Sequence, residues 1–202
     1  MPLREDLKAL GERITGRFRP KPRALKGLVQ QGPAQTFRFR DDGQTPNSRW
    51  PLVIYRAAVA LNAGCDPAAI FEELFASNGW KGSWRDAMYD WLHYHSTTHE
   101  VLGVARGRLQ ARIGGVKGRL IRLKAGDVMV LPAGVGHNSV RKSADLLIVG
   151  AYPGGRRYDE CKPEDTDDKS RARARRVPRP RKDPVYGANG PLLTAWKRDR
   201  TK

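Results

Sequence analysis

The sequence predicts an all-β domain with a few short helices, built as an antiparallel barrel or sandwich. Three observations lead there. From Trp84 to Tyr152 the chain divides into short apolar segments of strand length, and the breaks between them are rich in glycine. Helical spacing is confined to two short stretches ahead of that region. The chain has 202 residues, 39% of them hydrophobic, which suffices for one core without disulfides or a structural metal.

Residues 1–34 form a basic N-terminal extension. Within it LREDLKALGERI places Leu7, Leu10 and Ile14 at helical spacing, and Pro20 and Pro22 then stop the helix. The barrel is expected over 35–155. TFRFR, starting at Thr36, alternates as a half-buried strand does, and DDGQTPNSRWP is turn chemistry. PLVIYRAAVAL is an apolar run of strand length. Asp66-Pro67 opens a helix, because Asp accepts from free amides at the cap and Pro fits the first helical position. Ile70, Phe71, Leu74 and Phe75 give that helix an apolar face, and Asn78-Gly79 ends it. The strands expected after it are MYDWLHYH, EVLGVA, RLQARI, RLIRL, DVMVL and DLLIVGAY. Residues 156–182 are charged in blocks and are expected to be a solvated linker. In 183–202 the residues Val185, Tyr186, Leu192, Leu193 and Trp196 form an apolar cluster expected to pack on the barrel or on a partner subunit.

The formal net charge is +17. Arg13, Arg17, Arg19, Lys21, Arg23 and Lys26 crowd the front, and Arg171, Arg173, Arg175, Arg176, Arg179, Arg181 and Lys182 crowd the back. The middle is expected to be close to balanced, so the charge is assigned to the ends. The run RARARRVPRPRK has no interleaved aromatic and follows the acidic PEDTDD, so a solvated tail is favoured over a nucleic-acid site. Cys65 and Cys161 lie too far apart for a zinc motif and do not form a disulfide framework. No stretch has the apolar length of a signal peptide or a membrane span, so a cytoplasmic protein with no membrane partner is expected.

The chain has four histidines, and three of them, His93, His95 and His99, fall within seven residues. On a strand His93 and His95 point to the same face and can reach one ion. Glu100 opens the next strand, and His137 supplies a further ligand from a distant one. Three imidazoles and a carboxylate suit Fe, Mn, Ni, Co or Zn as a divalent ion, with open positions for water, dioxygen or substrate.

HYHSTTHEVLGVARG resembles the first cupin box, with His93, His95, Glu100 and Gly107 on its fixed positions. GDVMVLPAGVGHNSVR resembles the second, through Gly126, Pro132, Gly134 and His137; Arg141 stands where that box has Asn, at a position that is not a metal ligand. FRFRDDGQTPN, FEELFASNGW, IVGAYPGG and DPVYGANGPL are similar to the YjlB-like branch of small bacterial cupins, from about Thr36 to Trp196. The resemblance implies a single cupin barrel of the RmlC-like jelly-roll type. It also implies one metal ion (Fe, Mn, Ni or Zn) held by His93, His95, Glu100 and His137, and a pairing of barrels as a homodimer.

Two classes of function follow. One is a mononuclear metalloenzyme, an oxygenase or isomerase, acting on a small polar molecule; the other is a cupin that binds a ligand or metal without turnover. A nucleic-acid binder working through residues 169–182 ranks below both. His99 is out of phase with the ligands and is expected to be an outer or interface histidine. Tyr94 is assigned to packing, Trp80, Trp84 and Trp91 to the core, and Arg156 and Arg157 to a solvated loop end.

Overall fold

In the computed structural model residues 18–61 and 64–197 are described, so the helix expected at 3–14 lies outside them. Among the described residues nine strands are present: β1 (Ala34–Phe37), β2 (Leu52–Tyr55), β3 (Trp80–Asp86), β4 (Glu100–Arg106), β5 (Arg108–Ile113), β6 (Arg119–Lys124), β7 (Val128–Leu131), β8 (His137–Lys142) and β9 (Leu147–Pro153). They form a six-stranded sheet, β1-β2-β7-β4-β9-β3, facing a three-stranded sheet, β6-β5-β8. Every pairing is antiparallel. This is the jelly-roll barrel that the two boxes imply.

The larger sheet is buried on both faces, which explains its nearly continuous apolar strands, LVIY in β2 and VMVL in β7. Its inner face (Leu52, Ile54, Leu102, Val104, Met129, Leu131, Ile148) meets Leu109, Ala111, Ile113, Ile121 and Leu123 of the smaller sheet. Its outer face (Val53, Tyr55, Val101, Val128, Val130, Val149, Ala151) is covered by α2 (Pro67–Ser77) and by Val185, Leu192 and Trp196. Asp66 caps α2 by accepting from the Ala68 amide, and Pro67 takes its first position. Buried Glu72 of α2 accepts from Arg19 and from Arg85 of β3, fixing the helix to the sheet edge.

Three expectations are corrected. MYDWLHYH is not a strand: only His93 and Tyr94 make isolated bridges, to His137 and Cys161. The edge strand lies earlier, in β3, whose polar sequence WKGSWRD and register shift between Lys81 and Trp84 conceal the strand period. Residues 156–182 are not a solvated linker. Asp167 and Ser170 cap each other to start α3 (Asp168–Arg176), and Ser170, Ala174 and Val177 are buried. The charge of the barrel is polarised rather than balanced. Between Val101 and Ala144 nine lysines and arginines face one carboxylate, Asp127. Strand alternation sends Arg108, Arg112, Arg122 and Lys124 of β5 and β6 to the outer face of the smaller sheet.

Part of the N-terminal extension is also integrated: Leu25 of α1 (Pro22–Leu28) enters the core. Residues 183–197, including α4 (Pro191–Ala195), pack on the barrel of the same chain. Tyr55 there donates to Asp183, and the Trp196 indole to the Pro51 carbonyl. Among the described residues no helix is long and apolar enough to cross a membrane.

Candidate metal centre

The two boxes meet at one end of the gap between the sheets. His93 and His137 exchange both backbone hydrogen bonds, at 3.2 and 2.8 Å, and the Gly134 amide donates to the His95 carbonyl at 2.8 Å. The loop before His137 needs its glycine. Gly134 has φ +89°, and a Cβ there would lie 2.5 Å from the Asn47 carbonyl oxygen. Glu100 starts β4 on the alternation that sends Leu102 and Val104 inward, so its carboxylate enters the barrel.

His93, His95 and His137 are buried, with one ring nitrogen from each within 4.8 Å of the others. Glu100 Oε2 lies 3.4 Å from His95 Nε2 and 3.6 Å from His137 Nε2. The opposite nitrogens decide what this cluster can do. Each Nδ1 faces a backbone carbonyl: that of Trp91 for His93 at 3.1 Å, that of Asp159 for His95, and that of Val135 for His137 at 3.0 Å. A carbonyl only accepts, so each Nδ1 carries the proton and each Nε2 presents a bare lone pair. Tyr152 donates to Glu100 Oε1 at 2.8 Å, leaving Oε2 toward the imidazoles. Three imidazole nitrogens gathered at one buried point, with a carboxylate beside two of them, make a donor set that fits a divalent cation.

Electrostatics keep His93, His137 and Glu100 in that form and pull His95 the other way. Burial pushes His93 down, and burial together with the His93 charge pushes His137 down to about 3. Burial alone would raise Glu100, but His95, His137 and the Tyr152 hydroxyl hold it down at about 2. His95 is depressed by burial, yet the adjacent Glu100 charge outweighs that and raises it.

His99, the residue before β4, is turned away from the side that Glu100 faces, as its phase predicts. It is not an outer residue: it is buried, with ring centroids 5.4 Å from Trp50 and 4.7 Å from Trp196. The Ala133 amide donates to its Nδ1 at 2.8 Å, and its Nε2 donates to the Pro178 carbonyl at 3.2 Å. Both nitrogens are engaged, and no metal position is left.

Over 165 residues the chain is 38% identical to the protein YjlB of Bacillus subtilis strain 168, covering 80% of this chain and 96% of that one. The chain belongs to the YjlB family. No family model matches it. Among solved structures, acireductone dioxygenase from Bacillus anthracis, with a cadmium ion in its active centre, is 14% identical over 62% of this chain and 80% of that one, with TM-score 0.36. An oxalate decarboxylase is 20% identical over 55% of this chain, with TM-score 0.32, and the YjlB-family chain spans 23% of its length.

The YjlB-family chain surrounds the histidines with residues that motif spacing did not single out. A cavity of about 570 Å3 opens onto the cluster and is lined by Trp84, Met88, Tyr89, Tyr152, Tyr158 and Glu160, among others. The Trp84 indole donates to the Tyr152 hydroxyl at 2.7 Å, and its ring occupies the space a side chain at Gly150 would fill. Tyr152 was legible in principle: it shares the strand phase of Ile148 and so faces inward. Asp159 had no sequence signal. Besides its carbonyl on His95, its carboxylate accepts from the Ser96 and Thr97 amides at 2.7 and 3.0 Å. Those bonds, with the Ser96 and Thr97 hydroxyls, hold its carboxyl down at about 2 against the opposing effect of burial. Tyr94 packs as expected, its hydroxyl on Ser170 and Thr166. Trp80 is core; Trp91 is instead exposed and stacked on Tyr89 beside the cavity. Arg156 and Arg157 are exposed, and Arg141 lies on the outer face of β8, away from this cavity.

Proposed function

We propose that this chain is a mononuclear metalloprotein that holds one divalent ion through His93, His95, His137 and Glu100 and acts on a small polar molecule admitted through the adjoining cavity. The observation that carries the reading is the set of three Nδ1–carbonyl contacts, which leaves the Nε2 of each clustered histidine for an ion, with Glu100 Oε2 beside those of His95 and His137. A divalent ion bound there supplies Lewis acidity or redox chemistry, of oxygenase or isomerase type, at the cavity floor.

The chain's own residues do the rest. The carbonyls of Trp91, Asp159 and Val135 hold the tautomers, and Tyr152 holds Glu100. Met88 and the rings of Trp84, Tyr152 and Tyr158 exclude water from one side of the cavity, while Glu160 and Tyr89 offer polar atoms to a ligand.

The test is elemental analysis of full-length protein purified without added metal, alongside His95→Ala. One equivalent of a transition metal in the parent and none in the variant is expected. A folded parent that carries no metal and takes up no added Fe, Mn, Ni or Zn sinks the proposal. A metallated protein whose bound ion exchanges no water would mark a binding module rather than an enzyme.

A further inference from the structure

The run RARARRVPRPRK has the composition of a floating tail, but the chain is pinned there at several points. Val177 and Pro180 are buried. The Pro178 carbonyl accepts from His99, and the Lys182 carbonyl accepts from the Trp80 indole at 3.0 Å. The side chains between these anchors, Arg175, Arg176, Arg179, Arg181 and Lys182, are exposed. The result is a ridge with a fixed backbone and outward cations.

Grooves lie on both sides of the ridge. One, of about 1070 Å3, is lined by Arg49, Arg175, Arg176, Arg179 and Lys197. The other, of about 740 Å3, is lined by Lys81, Arg156, Arg179, Arg181 and Lys182. Arg179 borders both, so the surface is continuous. No aspartate or glutamate lines either groove. None of these nine cations forms an ion pair with a described residue. Like charges held this close by a folded backbone repel, and the compensating charge comes from outside the chain.

We infer that this ridge and its two grooves bind the phosphate backbone of a nucleic acid. A duplex carries one charge per ~1.7 Å of axis, a density that a row of nine cations engages over several phosphates. The exposed large apolar side chains of the described residues are Phe18, Tyr89, Trp91, Val116, Leu120, Val140 and Tyr158, and none of them lines either groove. The surface therefore lacks both the apolar wedge of a lipid-binding face and the aromatic anchor of a protein interface. Trp50 and Trp196 are stacked on each other and buried beneath the floor, so no ring is free to stack on a base. Binding through phosphates alone has little sequence preference.

The experiment is fluorescence anisotropy of the full chain with a labelled duplex of about 20 base pairs, titrated from about 50 to about 200 mM salt, where phosphate contacts show most clearly. Micromolar binding that weakens steeply with salt is expected. Arg175→Gln combined with Arg176→Gln and Arg181→Gln is expected to weaken it at least ~30-fold and to flatten the log–log salt slope by about three, near 0.9 for each phosphate no longer neutralised. Lys81→Gln with Arg156→Gln, on the barrel side of the second groove, is expected to weaken it about tenfold. Arg108→Gln with Arg122→Gln and Lys124→Gln removes equal charge from the outer face of the smaller sheet and is expected to cost less than about threefold. Melting temperature and metal content report folding in every variant. Equal losses in the ridge and sheet variants, no duplex binding at the lowest salt, or tighter binding to phosphatidylserine vesicles or to an acidic peptide than to the duplex would each overturn the inference.

Discussion

The segment from His93 to Glu100 presents two faces, and both are buried. On one, His93 and His95 each give Nδ1–H to a carbonyl, and His95 Nε2 lies beside Glu100 Oε2. On the other, His99 receives the Ala133 amide at Nδ1 and gives Nε2–H to Pro178. The imidazoles are chemically identical and similarly hidden from water. What separates a candidate ligand from a packing residue is the partner of the second nitrogen. Burial and clustering alone do not make a histidine a candidate; an unanswered lone pair does.

Exchanging the roles of the two faces gives the sharpest tests. His95→Ala is expected to abolish stoichiometric metal while leaving a folded barrel, checked by elemental analysis and circular dichroism. His99→Ala is expected to do the reverse: metal stays at one equivalent, and stability falls by about 3 kcal/mol, because a cavity opens between Trp50 and Trp196 and two backbone groups lose their partner. Denaturant unfolding measures this.

The same histidine sets a pH dependence. Burial lowers His99 from 6.5 to about 3, so the native state binds fewer protons than the unfolded one. Its contribution is fully present above about pH 6.5 and is lost as pH falls toward about 3. His99→Gln is expected to flatten that part of the stability curve by about one proton's slope. Smaller still, Asp159→Ala is expected to weaken metal affinity about 10–100-fold without removing a ligand, because the loop that presents its carbonyl to His95 loses its anchors on Ser96 and Thr97. Competition with a metal-sensitive dye reads it. Tyr152→Phe, which frees only Glu100 Oε1, belongs at the low end of that range.

The legible parts of the molecule are those with a local rule behind them. Box spacing locates His93, His95, Glu100 and His137, and strand alternation separates His99 from them. Apolar runs and glycine turns locate β4 to β7 and β9. β3 escapes because an edge strand with a bulge and few apolar residues has no clean period. β8 escapes because HNSVRK follows its loop without a break and reads as polar. Residues 156–182 mislead because composition describes how a segment behaves alone. This segment is ordered by partners far away in sequence: Ser96, Tyr94, His99 and Trp80. Even there a local signal exists in the Asp167–Ser170 spacing of a helix cap. The polarised charge of the smaller sheet is hidden because a net count over the whole middle does not separate its faces.

The strap formed by residues 157–161 lies across His95 and pairs Cys161 with Tyr94. It imposes an order on biosynthesis. A nascent chain completed through residue 155 already has all four candidate ligands, yet the carbonyl that sets the His95 tautomer has not emerged from the ribosome. The Asp159 carbonyl is the contact that fixes the His95 tautomer, so a chain ending before the strap is expected to keep all four candidate ligands and to hold the proposed ion less tightly.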